Sequence, residues 1–144
     1  MNREIKFRAK SVESGEWVIG YYYYGHLSQQ HFLISEAQIG NPYFNRIMPE
    51  TLGQFTGALD KDGTEIYQGD IAKSLWQHDG VNNYNYEMKG QIVFDVYHMQ
   101  FELFVDKGDS AVSFPLYSFE REELIKDTLE VIGDIYTTPE LLNK

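Results

Sequence analysis

Cysteine is absent from this chain, which removes disulfides and thiolate metal sites from consideration. The same absence fits a reducing compartment. Proline is scarce, with four in 144 residues, and no Pro- or Ser-rich stretch marks a linker. No apolar run approaches the ~20 residues that span a bilayer. The opening MNREIKFRAK carries charges with no apolar segment of leader length behind them. The expectation is a protein that stays in the bacterial cytoplasm and has no membrane partner. Basic residues are also few: 12 Lys and Arg against 22 Asp and Glu give a formal net charge of −10. An acidic surface repels phosphate backbones, so nucleic acid is a disfavoured partner. Neither a Gly-rich phosphate loop nor a Gly-x-Ser-x-Gly elbow occurs. No catalytic residue and no cofactor are assigned, and the chain is not expected to be an enzyme.

What remains is rich in strand signals. A length of 144 residues suits one domain that buries a core without staples. Residues 3–9 alternate, with Ile5, Phe7 and Ala9 on one side. Lys6, Arg8 and Lys10 fall between them, and the alternation predicts a solvated outer face for this basic stretch. A turn at Glu13–Glu16 leads to an aromatic strand at Trp17–Tyr24. A third strand is expected at His31–Ser35, then a loop over 36–46. Further strands are expected at Gln54–Leu59, Thr64–Tyr67, Ile71–Trp76, Gln91–His98, Phe101–Val105, Ala111–Leu116 and Leu129–Tyr136. Polar residues 77–89 read as a long mobile loop because they have little to bury. Helices are expected at 119–126, with Ser118 as cap, and after Thr138, with Pro139 at the first helical position.

These signals predict a mainly β chain with two short helices. Its sheets would be antiparallel or mixed and barrel-like, and they admit an SH3-like small barrel. The whole chain, 1–144, reads as one domain, with N-terminal strands over about 1–48 and a barrel-like part over about 49–144. A single core is expected from Ile5, Phe7, Trp17, Phe55, Ile71, Ile92, Phe94, Val131, Ile132 and Ile135.

Several side chains invite a chemical reading. Asp60-Lys61-Asp62-Gly63 superficially resembles a calcium loop, but position twelve counted from Asp60 is Ile71 rather than Glu. Asp-Gly is instead a hairpin signal. Gly63, Gly69 and Asp70 therefore read as structural turn residues, with positive φ at one or both glycines. His26, His31, His78 and His98 form no ligand-spaced pair, although His26 and His31 could face each other across a turn. No metal site is assigned.

Tyr21, Tyr22, Tyr23 and Tyr24 put aromatic bulk on both faces of one strand. Either the strand is covered on both sides, or the rings form an interaction surface with Tyr84 and Tyr86. The aromatic surplus favours a homo-oligomer, and a host or phage protein is a second candidate partner.

Three blocks then carry a family likeness. The opening Arg3-Glu4-Ile5-Lys6-Phe7-Arg8-Ala9 with Gly15-Glu16-Trp17, the string FTGALDKDGTEIYQGDI from Phe55 to Ile71, and the ending Leu129–Tyr136 with Thr138-Pro139-Glu140-Leu141-Leu142 resemble the YopX family of phages and prophages. Two departures are mild: Lys10 stands where the family often has Trp or another residue then Asp, and Asp134 where it commonly has Asn. The resemblance implies a mostly β, barrel-like fold, a phage or prophage origin and a tendency to self-associate. It implies no activity and supplies no catalytic residues. The expected function is thus a non-enzymatic oligomeric or protein-interaction module. The alternative is a nucleic-acid-associated small-barrel module.

Overall fold

A computed structural model describes residues 3–38, 40–77, 85–116 and 128–143. The strands are β1 (Phe7–Lys10), β2 (Trp17–Gly25), β3 (Gln30–Gln38), β4 (Asn41–Arg46), β5 (Gly53–Leu59), β6 (Glu65–Tyr67), β7 (Asp70–Gln77), β8 (Asn85–Asp95), β9 (Gln100–Asp106), β10 (Ala111–Pro115) and β11 (Leu129–Asp134). Short 3-10 turns cover Pro49–Thr51 and Pro139–Asn143. The expectation of a mainly β chain holds. The C-terminal helix is a 3-10 turn, and the helix expected at 119–126 lies outside the described residues. No helix among the described residues is long and apolar enough to cross a membrane.

The chain divides into two compact units, residues 1–57 and 58–144, and passes from one to the other within β5. In the first unit the strand order is β4-β3-β2-β1, with the start of β5 against β1. Tight antiparallel hairpins link β1 to β2 and β2 to β3. The segment read as a loop from 36 to 46 instead extends β3 to Gln38 and supplies β4, which pairs Phe32–Gln38 with Asn41–Arg46. Ala9, Leu33 and Ile47 form a small buried cluster, flanked by Phe7, Val18 and Leu52.

In the second unit the end of β5 turns back into β6, and five strands follow in the order β10-β9-β8-β7-β11. Ile66, Ala72, Ile92, Phe101, Leu103, Val105, Leu116 and Leu129 are its buried core. The single core expected from the sequence is therefore two clusters, one in each unit. Phe55, Ile71 and Ile92 are buried as expected, whereas Phe7, Trp17, Phe94, Val131, Ile132 and Ile135 are half-buried. Ile5 is 55% exposed and lies before β1, whose ladder with β2 begins at Phe7. Of the mobile loop expected over 77–89, Gln77 belongs to β7, and Asn85–Lys89 pair with that strand as β8. Residues 78–84 lie outside the described residues.

The described strands do not close into a barrel, and all their pairings are antiparallel rather than mixed. The outer edge of β11 shows the physical reason. Its Leu129 carbonyl accepts the Lys61 N–H at 2.9 Å, and its Val131 N–H donates to the Asp60 carboxylate at 3.0 Å. A turn and one side chain take the hydrogen bonds that a closing strand would use.

Candidate functional site

The Asp60–Asp70 stretch and the Leu129–Tyr136 stretch interlock. Asp60 is buried, and its carboxylate accepts three backbone N–H groups. Oδ1 takes Asp62 at 2.9 Å and Thr64 at 2.8 Å, and Oδ2 takes Val131 at 3.0 Å. Gly63 closes the turn at φ +82°, a conformation costly for a residue with a Cβ. Beside it, the Lys61 ammonium lies 2.9 Å from Glu130, and Lys73 lies 3.5 Å from the same carboxylate. The hydrogen bond with Lys61 holds the Glu130 carboxyl below the ordinary carboxylate value and raises Lys61 in return.

The second turn completes the lock. Gly69 sits at φ +92°, donates its N–H to the Ile92 carbonyl at 2.9 Å and accepts from Ile135 at 3.0 Å. The Tyr136 ring packs over it so closely that an added Cβ would meet the ring at 3.1 Å. Asp70, 1% exposed, accepts the Tyr67 N–H at 2.7 Å. Directly opposite it in the β7–β11 register stands Asp134, whose Oδ1 accepts Tyr136 at 2.9 Å and Thr137 at 2.7 Å. Two facing carboxylates could suggest acid–base chemistry. Here Asp70 holds the Tyr67 N–H and Asp134 those of Tyr136 and Thr137, so both fasten turns. Both Gly63 and Gly69 adopt the positive φ expected of them.

The tyrosine run divides as a strand must. Tyr21, which is 61% exposed, and Tyr23 share one face of β2. Cross-strand register sets Ile34 and Phe32 beside them on β3, then Phe44 and Arg46 on β4. The rings touch: Tyr23–Phe32, Tyr23–Phe44 and Phe32–Phe44 centroids are each 6.2 Å apart. Phe44 is itself 51% exposed, so this is an open aromatic face, and the strand is not covered on both sides. The basic stretch of β1 is not simply solvated. The Arg8 guanidinium lies 4.4 Å and the Lys10 ammonium 5.5 Å from the Trp17 ring centre, and Lys6 lies 4.9 Å from that of Phe55. Cation–π contact explains why these side chains fold back onto rings.

On the opposite face of β2, Tyr22 and Tyr24 surround a histidine. The Tyr22 hydroxyl is 2.7 Å from His31 Nδ1, and Tyr24 packs on both His26 and His31 with centroids 5.0 and 4.9 Å away. His26 and His31 thus meet through a tyrosine ring. Tyr84 and His78 lie outside the described residues. Tyr86 is placed by its backbone in β8, opposite Trp76, and its side chain is likewise outside them.

One cluster escaped the sequence reading. Asp95, His98 and Glu102 converge at the β8–β9 hairpin, with one ligand-type atom from each within 4.8 Å of the others. His98 Nδ1 contacts Asp95 Oδ2. That contact raises the His98 pKa and lowers that of Asp95. The only available signal was the spacing Asp-x2-His-x3-Glu across a reversal, which gains meaning once the turn is known to fold Asp95 back beside Gln100.

Comparison with known proteins bears on the whole chain. No curated protein matches it at a significant level. Among solved structures it is similar to the crystal structure of protein EF1440 from Enterococcus faecalis, at 21% identity and a TM-score of 0.44, covering 98% of this chain and 99% of that one. The YopX protein family matches residues 6–143, a span that includes both interlocked turns and nearly all the rest of the sequence, and the chain belongs to that family.

Proposed function

We propose that this chain is a non-enzymatic interaction module, and that a second copy of itself docks on the aromatic face of β2, β3 and β4. The observation that carries this reading is the group of touching rings Tyr23, Phe32 and Phe44, with Tyr23, Phe44 and the neighbouring Tyr21 on the same face open to solvent. Contiguous exposed apolar surface of this kind marks interaction sites on otherwise acidic, soluble surfaces.

Charge favours a copy of the same chain as the occupant. Arg46 stands at one end of the face, opposite Phe32, and Glu36 at the other end, opposite Pro42. A two-fold axis through the central Ile34–Phe44 pair sets each Arg46 toward the Glu36 of the other copy, as an isologous interface requires. Light scattering after size exclusion tests the reading. The wild type is expected above the 16.8 kDa chain mass, and a Tyr21→Ser/Phe44→Ser double variant at that mass with an unchanged melting temperature. A wild type at chain mass at every concentration overturns it. Saturable binding of a single-stranded oligonucleotide at moderate salt, lost in the same variant, would assign the rings to base stacking beside Arg8 and Lys10 instead.

A further inference from the structure

We propose that the β8–β9 hairpin binds a divalent transition-metal ion of the zinc class through Asp95, His98 and Glu102. The hairpin supplies the geometry. Asp95 ends β8, Gln100 opens β9 directly opposite it, and Glu102 lies across from Val93, so Asp95 and Glu102 share one face of the sheet. Between them the chain reverses through residues 96–99, with Met99 at φ +54°. Asp95 is held in place by its other oxygen: Oδ1 accepts the Tyr97 N–H at 2.8 Å, which leaves Oδ2 turned toward His98.

Glu102 points to a cation more sharply than the ion pair does. His98 contacts Asp95 directly, whereas the Glu102 carboxylate lies within 4.8 Å of the same imidazole without an ion-pair contact to it. Glu102 is 6% exposed, and its side-chain hydrogen bond is with a neutral group, the Gln100 amide, at 2.8 Å. No lysine or arginine pairs with it among the described residues. Buried carboxylates are ordinarily paired with a cation or bound to a metal, because an isolated charge away from water is costly. A metal ion at the cluster would meet that need and would use the other two ligands at once.

The donor set selects the ion. One imidazole nitrogen and two carboxylate oxygens suit zinc and its neighbours, whereas calcium and magnesium take all-oxygen shells with more ligands. Zinc bonds of about 2.0–2.2 Å set tetrahedral ligand atoms roughly 3.3–3.5 Å apart. The present spread of up to 4.8 Å closes by rotation of His98, whose side chain is 71% exposed and would give up its direct contact with Asp95 to the metal. Three protein ligands leave a fourth position for water or an incoming group.

The experiment is calorimetric titration of the untagged chain with zinc chloride, and in parallel with calcium chloride. Cobalt substitution provides a spectroscopic readout through the strong visible absorption of a four-coordinate site. One saturable zinc site per chain is expected, with no saturable calcium binding. His98→Ala, on the exposed turn, and Glu102→Gln, which keeps the shape of the buried side chain, should each weaken zinc at least tenfold, abolish the cobalt signal and leave the circular dichroism spectrum unchanged. Absence of saturable zinc binding in the wild type overturns the proposal. So does zinc binding that survives either substitution unchanged, which would place the ion elsewhere, for example at His26 and His31.

Discussion

Two aspartate-to-asparagine exchanges separate a carboxylate that needs both oxygens from one that needs a single oxygen. Asp60 uses Oδ1 for two turn N–H groups and Oδ2 for the Val131 N–H on β11. An amide keeps one acceptor and turns a donor against the remaining N–H. Asp60→Asn therefore loses a charge-assisted bond, worth about 1.5–3 kcal/mol, and leaves a strand N–H facing another donor. Asp62 and Thr64 are exposed and can recover water, so they add little. The expected cost is about 2–3 kcal/mol by the same scale. For a chain of this size that corresponds to a melting temperature lower by about 5–10 °C. Asp134 accepts Tyr136 and Thr137 through Oδ1 alone. An asparagine amide oxygen can do the same, so Asp134→Asn should cost under about 1 kcal/mol, even though Asp134 is buried. Urea unfolding followed by circular dichroism, with midpoint and slope fitted separately, measures both. Equal midpoint shifts for the two variants, or an Asp60→Asn variant within about 0.5 kcal/mol of wild type, would refute the assignment of Asp60 as the fastener between the turn and β11.

Ile71→Ala should cost about 2–5 kcal/mol because Ile71 is fully buried, while Ile5→Ala should stay within about 0.5 kcal/mol; thermal melts of the pair check the core boundaries. Gly69→Ala combines strain at φ +92° with the Tyr136 ring at 3.1 Å and should destabilise by about 1–3 kcal/mol, whereas Gly15→Ala, with positive φ but open space, should cost less. The Glu130 pair gives a pH signature. The Glu130 pKa is lowered in the fold, so its contribution is present above the unfolded carboxylate value and is lost as pH falls through the lowered one. Lys61 is raised, so its share is present below its ordinary value and is lost only as pH rises past the folded one. Stability–pH curves of wild type and Glu130→Gln should converge at the acid end, by a small amount given the exposure of the pair.

The local features were legible in the sequence. Gly63 and Gly69 announce their turns because backbone conformation is a property of a few adjacent residues, and Asp70 follows from the same logic. Alternation grouped Ile5 with Phe7 and Ala9 but could not show that Ile5 lies outside the ladder of β1 and is exposed. Burial depends on a neighbour, and the neighbour starts at Phe7. Asn85–Lys89 read as loop for the converse reason: largely polar residues can sit in a ladder held by backbone pairing to residues 73–77. The lock between Asp60 and Val131 spans 71 positions, and no window of the sequence joins them. Asp95, His98 and Glu102 carry no helix or loop ligand spacing and meet only across a hairpin.

Two surface turns of the second unit differ in what they would tolerate from an engineer. Lys61–Gly63 is short, polar and exposed, the usual profile of a site for grafting a tag or a reporter. Its backbone is nevertheless committed at both ends, to Leu129 through Lys61 and to Asp60 through Asp62 and Gly63. Added residues there would pull the pin from β11. Among the described residues, the Lys107–Ser110 turn between β9 and β10 is fastened locally, by Lys107 to Ser110 and by Gly108 to Asp106. A cargo peptide belongs in that second turn, where the described fold would carry it without undoing any contact made elsewhere in the chain.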